Sequence, residues 1–101
     1  MDRERRGGWV DLMADRYRGG LYTGVTSDLA RRIYQHRHGD GSDFCVRHGL
    51  NRLVWAECGD EILDCIAHEK RVKRRRRVGE FALVEKANPD WHDLYDQLAG
   101  T

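Results

Sequence analysis

The stretch Leu21–His36, LYTGVTSDLARRIYQH, constrains the fold more than any other part of the chain. Its opening residues are rich in β-branched and aromatic side chains, which suit a short strand. Ser27 or Asp28 then offers an N-cap, because a short side-chain oxygen there accepts one of the unpaired N–H groups of the first helical turn. From Leu29 onward the apolar residues take helical spacing, with Leu29 and Ile33 on one face. A strand is thus followed closely by a helix, the start of a mixed α+β order of elements.

The remaining segments fit that frame. Trp9–Ala14 reads as a strand preceding Leu21–Val25, and the spacer Asp15–Gly20, ending in two glycines, suits a hairpin loop. Gly39–Gly41 marks a loop, and Ser42 is placed to cap a short helix stopped by Gly49. Leu53–Cys58 reads as a third strand. The longest helix is expected from Asp60 to about Arg77, with an interruption at Gly79. Phe81–Ala87 forms a further helical segment, halted by Asn88-Pro89. Trp91, Leu94, Tyr95 and Leu98 lie at helical spacing and predict a last short helix that packs. The expected class is α+β, a small three-stranded antiparallel sheet flanked by helices. Residues 1–8 are expected to be a flexible N-terminal leader and residues 9–98 a single domain, since 101 residues support one small core.

Charge is uneven rather than large. The net charge is +1, yet seven of the eight residues Lys70–Arg77 are Lys or Arg, an electrostatic footprint for phosphate. The three cysteines, Cys45, Cys58 and Cys65, form an odd set without a C-x-x-C pair, which suits a reducing, cytoplasmic setting. No apolar run has membrane-spanning length, and the polar start MDRERRGG is not a signal peptide. A membrane partner is not expected.

Two polar residues fall on apolar helical faces. Taking Leu29 as zero and advancing by about 100° per residue, His36 falls at roughly −20°, Arg32 at roughly −60° and Arg31 near 200°. Arg32 thus borders the core while its neighbour faces solvent. Taking Ile62 as zero, Glu69 falls at roughly −20°, between Cys65 and Ile66. A guanidinium or a carboxylate on a core face needs a partner. Either Arg32 snorkels or caps a carboxylate, or Glu69 pairs with Arg32 in an internal salt bridge, or both serve a charged guest such as a phosphate and a metal ion.

Four segments carry a resemblance: LYTGVTSDLARRIYQH, SDFCVRHGLNRLVWAE, IAHEKRVKRRRR and LVEKANPDWHDLY. In that order and at those spacings the chain resembles a small single-domain bacterial protein of the GIY-YIG nuclease superfamily, from about Trp9 to Tyr95. The resemblance implies the same small antiparallel sheet with flanking helices. It puts the YIG element on Tyr22-Thr23-Gly24, the catalytic arginine on Arg32, the His or Tyr one turn later on His36, and the metal-binding glutamate on Glu69. The GIY element falls on Val10-Asp11-Leu12, so a carboxylate, Asp11, stands where the family has a tyrosine. Asp11 and Tyr22 keep the family's separation of eleven residues, which makes this a substitution and not a misalignment.

The implied function is a metal-dependent endonuclease of low sequence specificity, hydrolysing phosphodiester bonds with one Mg²⁺ or Mn²⁺ ion held by Glu69. Tyr22, Arg32, His36 and Asp11 complete the catalytic set. Gly24, Lys70, Lys73, Arg74, Arg75, Arg76 and Arg77 would meet the nucleic acid, with DNA ahead of RNA, in repair, recombination or mobile-element processing. A homodimer or a targeting partner would supply specificity. Asp11 opens the alternative of a DNA- or RNA-binding module that keeps the fold without turnover. A zinc-structured domain using His36, His38, Cys45, His48, Cys58 and Cys65 is a weaker reading, because the paired spacings of small zinc sites are missing.

Overall fold

Three strands form one antiparallel sheet in the order β2-β1-β3 in a computed structural model of the chain, which describes residues 7–38, 47–95 and 97. The strands are β1 (Gly8–Ala14), β2 (Leu21–Thr26) and β3 (Arg52–Gly59). The helices are α1 (Leu29–Arg37), α2 (Ile62–Lys73) and α3 (Arg77–Ala87). The expected α+β class and three-stranded antiparallel sheet are what the structure has. The expected leader falls mostly on residues outside the described set, as do Ser42, Cys45 and Leu98. Gly49 has φ +65°, the left-handed backbone of a glycine stop.

Alternation along β1 divides the core. Val10, Leu12 and Ala14 point to one face, where they pack with Cys65 and Val72 of α2 and Val84 of α3. Met13 points to the other face, where it joins Leu29 and Ile33 of α1 and Leu53. Asp11 has the parity of Met13 and so belongs to the α1 face. It is fully buried. Pairing of β1 with β2 sets Asp11 opposite Gly24 and Met13 opposite Tyr22, so the two motif elements of the sequence lie side by side.

The corner between β2 and α1 forms as its sequence predicts. Asp28 is the N-cap and accepts from the Arg31 N–H at 3.2 Å. The Thr26 hydroxyl accepts from the Asp28 N–H at 3.1 Å. These bonds satisfy donors that the helix start would otherwise leave open.

Two helical expectations are corrected. The long helix ends at Lys73 rather than near Arg77, and the break falls on Arg74–Arg76, not at Gly79. A longer helix would set Lys70 against Arg74 and Arg71 against Arg75 at i,i+4, where like charges repel, whereas Gly79 is tolerated inside α3. Its role is steric: a Cβ there would lie 3.3 Å from the Arg75 Cβ, where the connection folds back on α3. Trp91 does not start a helix either. It has φ 57°, and residues 91–93 are irregular. Its ring is nonetheless fully buried, packed edge-on against Phe81, with the indole N–H donating to Glu85 at 2.7 Å. The packing role holds, while helix is found only later in the expected segment, at Tyr95 and Gln97 among the described residues.

The C-terminal segment closes the β3 edge. Leu94 donates its N–H to the Leu53 carbonyl at 2.8 Å, and the Leu53 N–H donates to Asp93 at 3.3 Å. Buried Asn88 donates to the Val54 and His92 carbonyls, both at 2.9 Å, and accepts from the His92 N–H at 3.1 Å. One amide side chain thus ties the end of α3 to the sheet and covers part of an edge that would otherwise invite foreign strands.

Candidate active site

The centre of the site is a buried ion pair. Arg32 reaches from α1 to the sheet, with Nε 3.0 Å from Oδ2 of Asp11, whose side chain is 0 % exposed. The contact joins the two charges and also acts as a hydrogen bond on Asp11. Beyond it, Nη2 of Arg32 and Oδ1 of Asp11 have no hydrogen-bond partner. Gly24 makes the approach possible. A Cβ at that position would lie 2.0 Å from Arg32 Nη2 and 2.6 Å from its Cζ. The guanidinium therefore occupies the space of the missing side chain, while the Tyr22 ring lies 6.0 Å from its Cζ.

His36 sits one turn further along α1, buried, and its Nδ1 has no hydrogen-bond partner. Burial, and then the charge of Arg32, push its pKa below the usual 6.5, which favours the neutral imidazole. Asp11 moves the opposite way. Burial raises its pKa from 3.8, outweighing the lowering by Arg32, and the charge of Glu69 adds to the rise.

Glu69 is buried on α2, as its place on the apolar face predicts. It does not pair with Arg32, so the sequence-based option of an internal Arg32–Glu69 salt bridge is replaced by two separate pairs. Arg32 meets Asp11, and Glu69 meets Lys73 at 2.7 Å, one turn along its own helix. The influence of Glu69 on Asp11, and of Tyr22 on Lys73, links the two pairs electrostatically. Structurally they ride on different elements: Asp11 and Arg32 belong to the α1 face, and Glu69 comes from the helix packed on the other face.

The basic run divides by role. Lys70, Arg74, Arg75 and Arg76 are exposed. Lys73 is held by Glu69. Arg77 donates to the Gly19 carbonyl at 3.0 Å and lies over the Phe81 ring, which ties α3 to the β1–β2 loop. Arg18 in that loop makes two hydrogen bonds to Glu85, at 2.7 and 3.0 Å. The Arg18 and Arg77 contacts escape a reading of the sequence, because a charge run by itself carries no sign of which members fold inward. The Asp11–Arg32 pair had a signal: hairpin register alone places Asp11 across from the one β2 residue without a side chain. Among the described residues no group of three or more His, Cys, Asp and Glu side chains is arranged to hold a metal ion, so the candidate zinc ligands do not assemble there. Nor is any helix among them long and apolar enough to cross a membrane.

A GIY-YIG catalytic domain matches residues 10–81, which spans both motif strands, Arg32 and Glu69. The chain belongs to the GIY-YIG family. Within it, the chain is 38 % identical over 90 residues to the UPF0213 protein ORF82 of Orgyia pseudotsugata multicapsid polyhedrosis virus, covering 86 % of this chain and 85 % of that protein. A UPF0213 protein of Yersinia pestis is 39 % identical over 67 residues, covering 65 % of this chain and 70 % of its own. The solution structure of the UPF0213 protein BH0048 from Bacillus halodurans superposes with a TM-score of 0.54 at 26 % identity, over 86 % of this chain and 92 % of that one. The GIY-YIG family is one of nucleases, and nucleic acid is the partner its domain suggests.

Proposed function

We propose that the protein is a divalent-metal-dependent endonuclease that cleaves phosphodiester bonds, preferentially in DNA and with little sequence specificity. The observation that carries this reading is the gathering of Tyr22, Gly24 and Arg32 at one spot of the sheet, with buried guanidinium donors left unfilled. Unfilled donors on a fixed cation suit a phosphate as charge builds on it during displacement. Neutral His36, with Nδ1 open, is a proton acceptor for the attacking water, and Tyr22 orients that water. Lys70 and Arg74–Arg76 grip the backbone without reading bases.

Glu69 suits a single Mg²⁺ or Mn²⁺ ion. It already presents Oε2 to a cation, the Lys73 ammonium, and Mg²⁺ often takes only one or two carboxylates and keeps most of its waters. When bound there, the ion would polarise a phosphate oxygen and favour departure of the 3′ oxygen. The test is nicking of supercoiled plasmid in Mg²⁺ or Mn²⁺. Glu69→Ala is expected to abolish cleavage while leaving plasmid binding largely intact, and undiminished cleavage by this variant would reject the assignment. The Asp11–Arg32 pair favours a second reading, a binding module without turnover, since it neutralises the arginine that must meet the phosphate. Binding without nicking in the same assay selects that reading.

A further inference from the structure

We propose that the Asp11 carboxylate occupies the place of the substrate phosphate on Arg32, so that nucleic acid binds by exchanging one anion for another on a single guanidinium. This rests on the reading of Arg32 as the phosphate-binding residue. Asp11 is the departure from the family motif, and it is the side chain that touches the arginine, at 3.0 Å. The contact leaves a group open on each side: Nη2 of Arg32 and Oδ1 of Asp11 lack hydrogen bonds. A pair evolved solely as a structural clamp would be expected to fill those bonds, because unfilled ones in a buried site are costly. A phosphate offers more oxygens than a carboxylate and can use donors that Asp11 leaves idle.

The surroundings add to the barrier. With Asp11 ionised, the guanidinium charge is cancelled before a phosphate arrives, and the charge of Glu69 already acts at Asp11. The guanidinium sits in the space that the absent Gly24 side chain leaves, with Asp11 as its anchor at 3.0 Å. Phosphate and Asp11 must therefore compete at one place. Neutralising Asp11 while keeping its shape removes the competitor and retains the cavity.

The decisive experiment uses the full chain in EDTA, with a fluorescein-labelled DNA duplex followed by anisotropy. Asp11→Asn is expected to bind about tenfold tighter than the parent, the scale of one like charge leaving a partly buried site. Arg32→Gln is expected to erase the gain that Asp11→Asn brings, and to cost less affinity in the parent than in the Asp11→Asn background. Equal or weaker binding by Asp11→Asn, or a loss from Arg32→Gln as large in the parent as in the Asp11→Asn background, overturns the proposal. Thermal melting checks that each variant folds, and Asp11→Tyr, which restores the family's phenol, must show the same direction if the asparagine variant does not fold. If no form binds DNA, the reading of the site as a nucleic-acid site fails. The exchange is then judged by inorganic phosphate: the Arg32 Nε–Hε resonance must shift in Asp11→Asn and stay unmoved in the parent, and the reverse rejects it.

Discussion

At the scale of single residues, Gly24 shows how an absence can define a site. Its missing side chain is the space that the Arg32 guanidinium fills, so Gly24→Ala forces two groups into one volume. We expect a loss of about 1–3 kcal/mol in denaturant unfolding, the range of overpacked interiors, together with weaker binding of nucleic acid. His36 gives a pH-dependent counterpart. Its folded pKa lies below 6.5, so the unfolded chain takes up the proton more readily, and the stability contributed by neutral His36 is present above 6.5 and lost as pH falls through the depressed value. Unfolding measured at pH 7.5 and at pH 5 should show a larger acid loss for the parent than for His36→Gln; an equal loss would show that His36 does not titrate differently on folding. The periodicity of the sequence made Arg32, His36 and Glu69 legible, because charge on an apolar face is visible in one dimension. Their partners were legible only in part. Hairpin register sets Asp11 beside Gly24, and Lys73 stands four residues after Glu69, but periodicity does not say that these contacts prevail over an Arg32–Glu69 pair.

At the scale of elements, the strands and α1 follow their local chemistry, down to the Asp28 cap. The end of α2 and the start of α3 do not, because Gly79 reads as a breaker while the real break comes from crowded cations and a tight turn against that glycine. The segment after α3 also departs from its pattern. Its apolar spacing is helical, yet hydrogen bonds to β3 and the Asn88 bracket hold residues 91–93 in an irregular path, and helix is found only at Tyr95 and Gln97 among the described residues. Tertiary bonds of this kind are invisible to periodicity. Asn88→Ala removes three bonds from a buried position and strands the Val54 carbonyl, so a cost of about 2–4 kcal/mol is expected. Chemical denaturation measures it, and hydrogen exchange at Leu94 should rise in parallel. A change below about 0.5 kcal/mol would mean that the bracket does not hold this edge.

At the scale of the whole molecule, charge distribution matters more than charge. A net charge of +1 hides a cationic ridge at the α2–α3 connection, with Lys70 and Arg74–Arg76 exposed. Affinity built on phosphate contacts falls with salt in proportion to the number of counterions released. Replacing those four residues with glutamine should flatten the plot of log affinity against log salt by about 3, while Lys73→Gln should flatten it less, since that ammonium is already engaged by Glu69. An unchanged slope in the fourfold variant would move the nucleic-acid face elsewhere.

The strand-to-helix corner at Thr26–Asp28 has a consequence for how such a site can diversify. Tyr22, Gly24, Arg32 and His36 all travel on one stretch joined by the hydrogen bonds of that corner, whereas Glu69 arrives on a separate helix seated by apolar packing and by the His68–Glu57 contact at 2.8 Å. Anion handling thus rides on a single continuous piece of chain. Repacking Cys65 or Val72 would re-aim the acidic arm and leave that piece untouched.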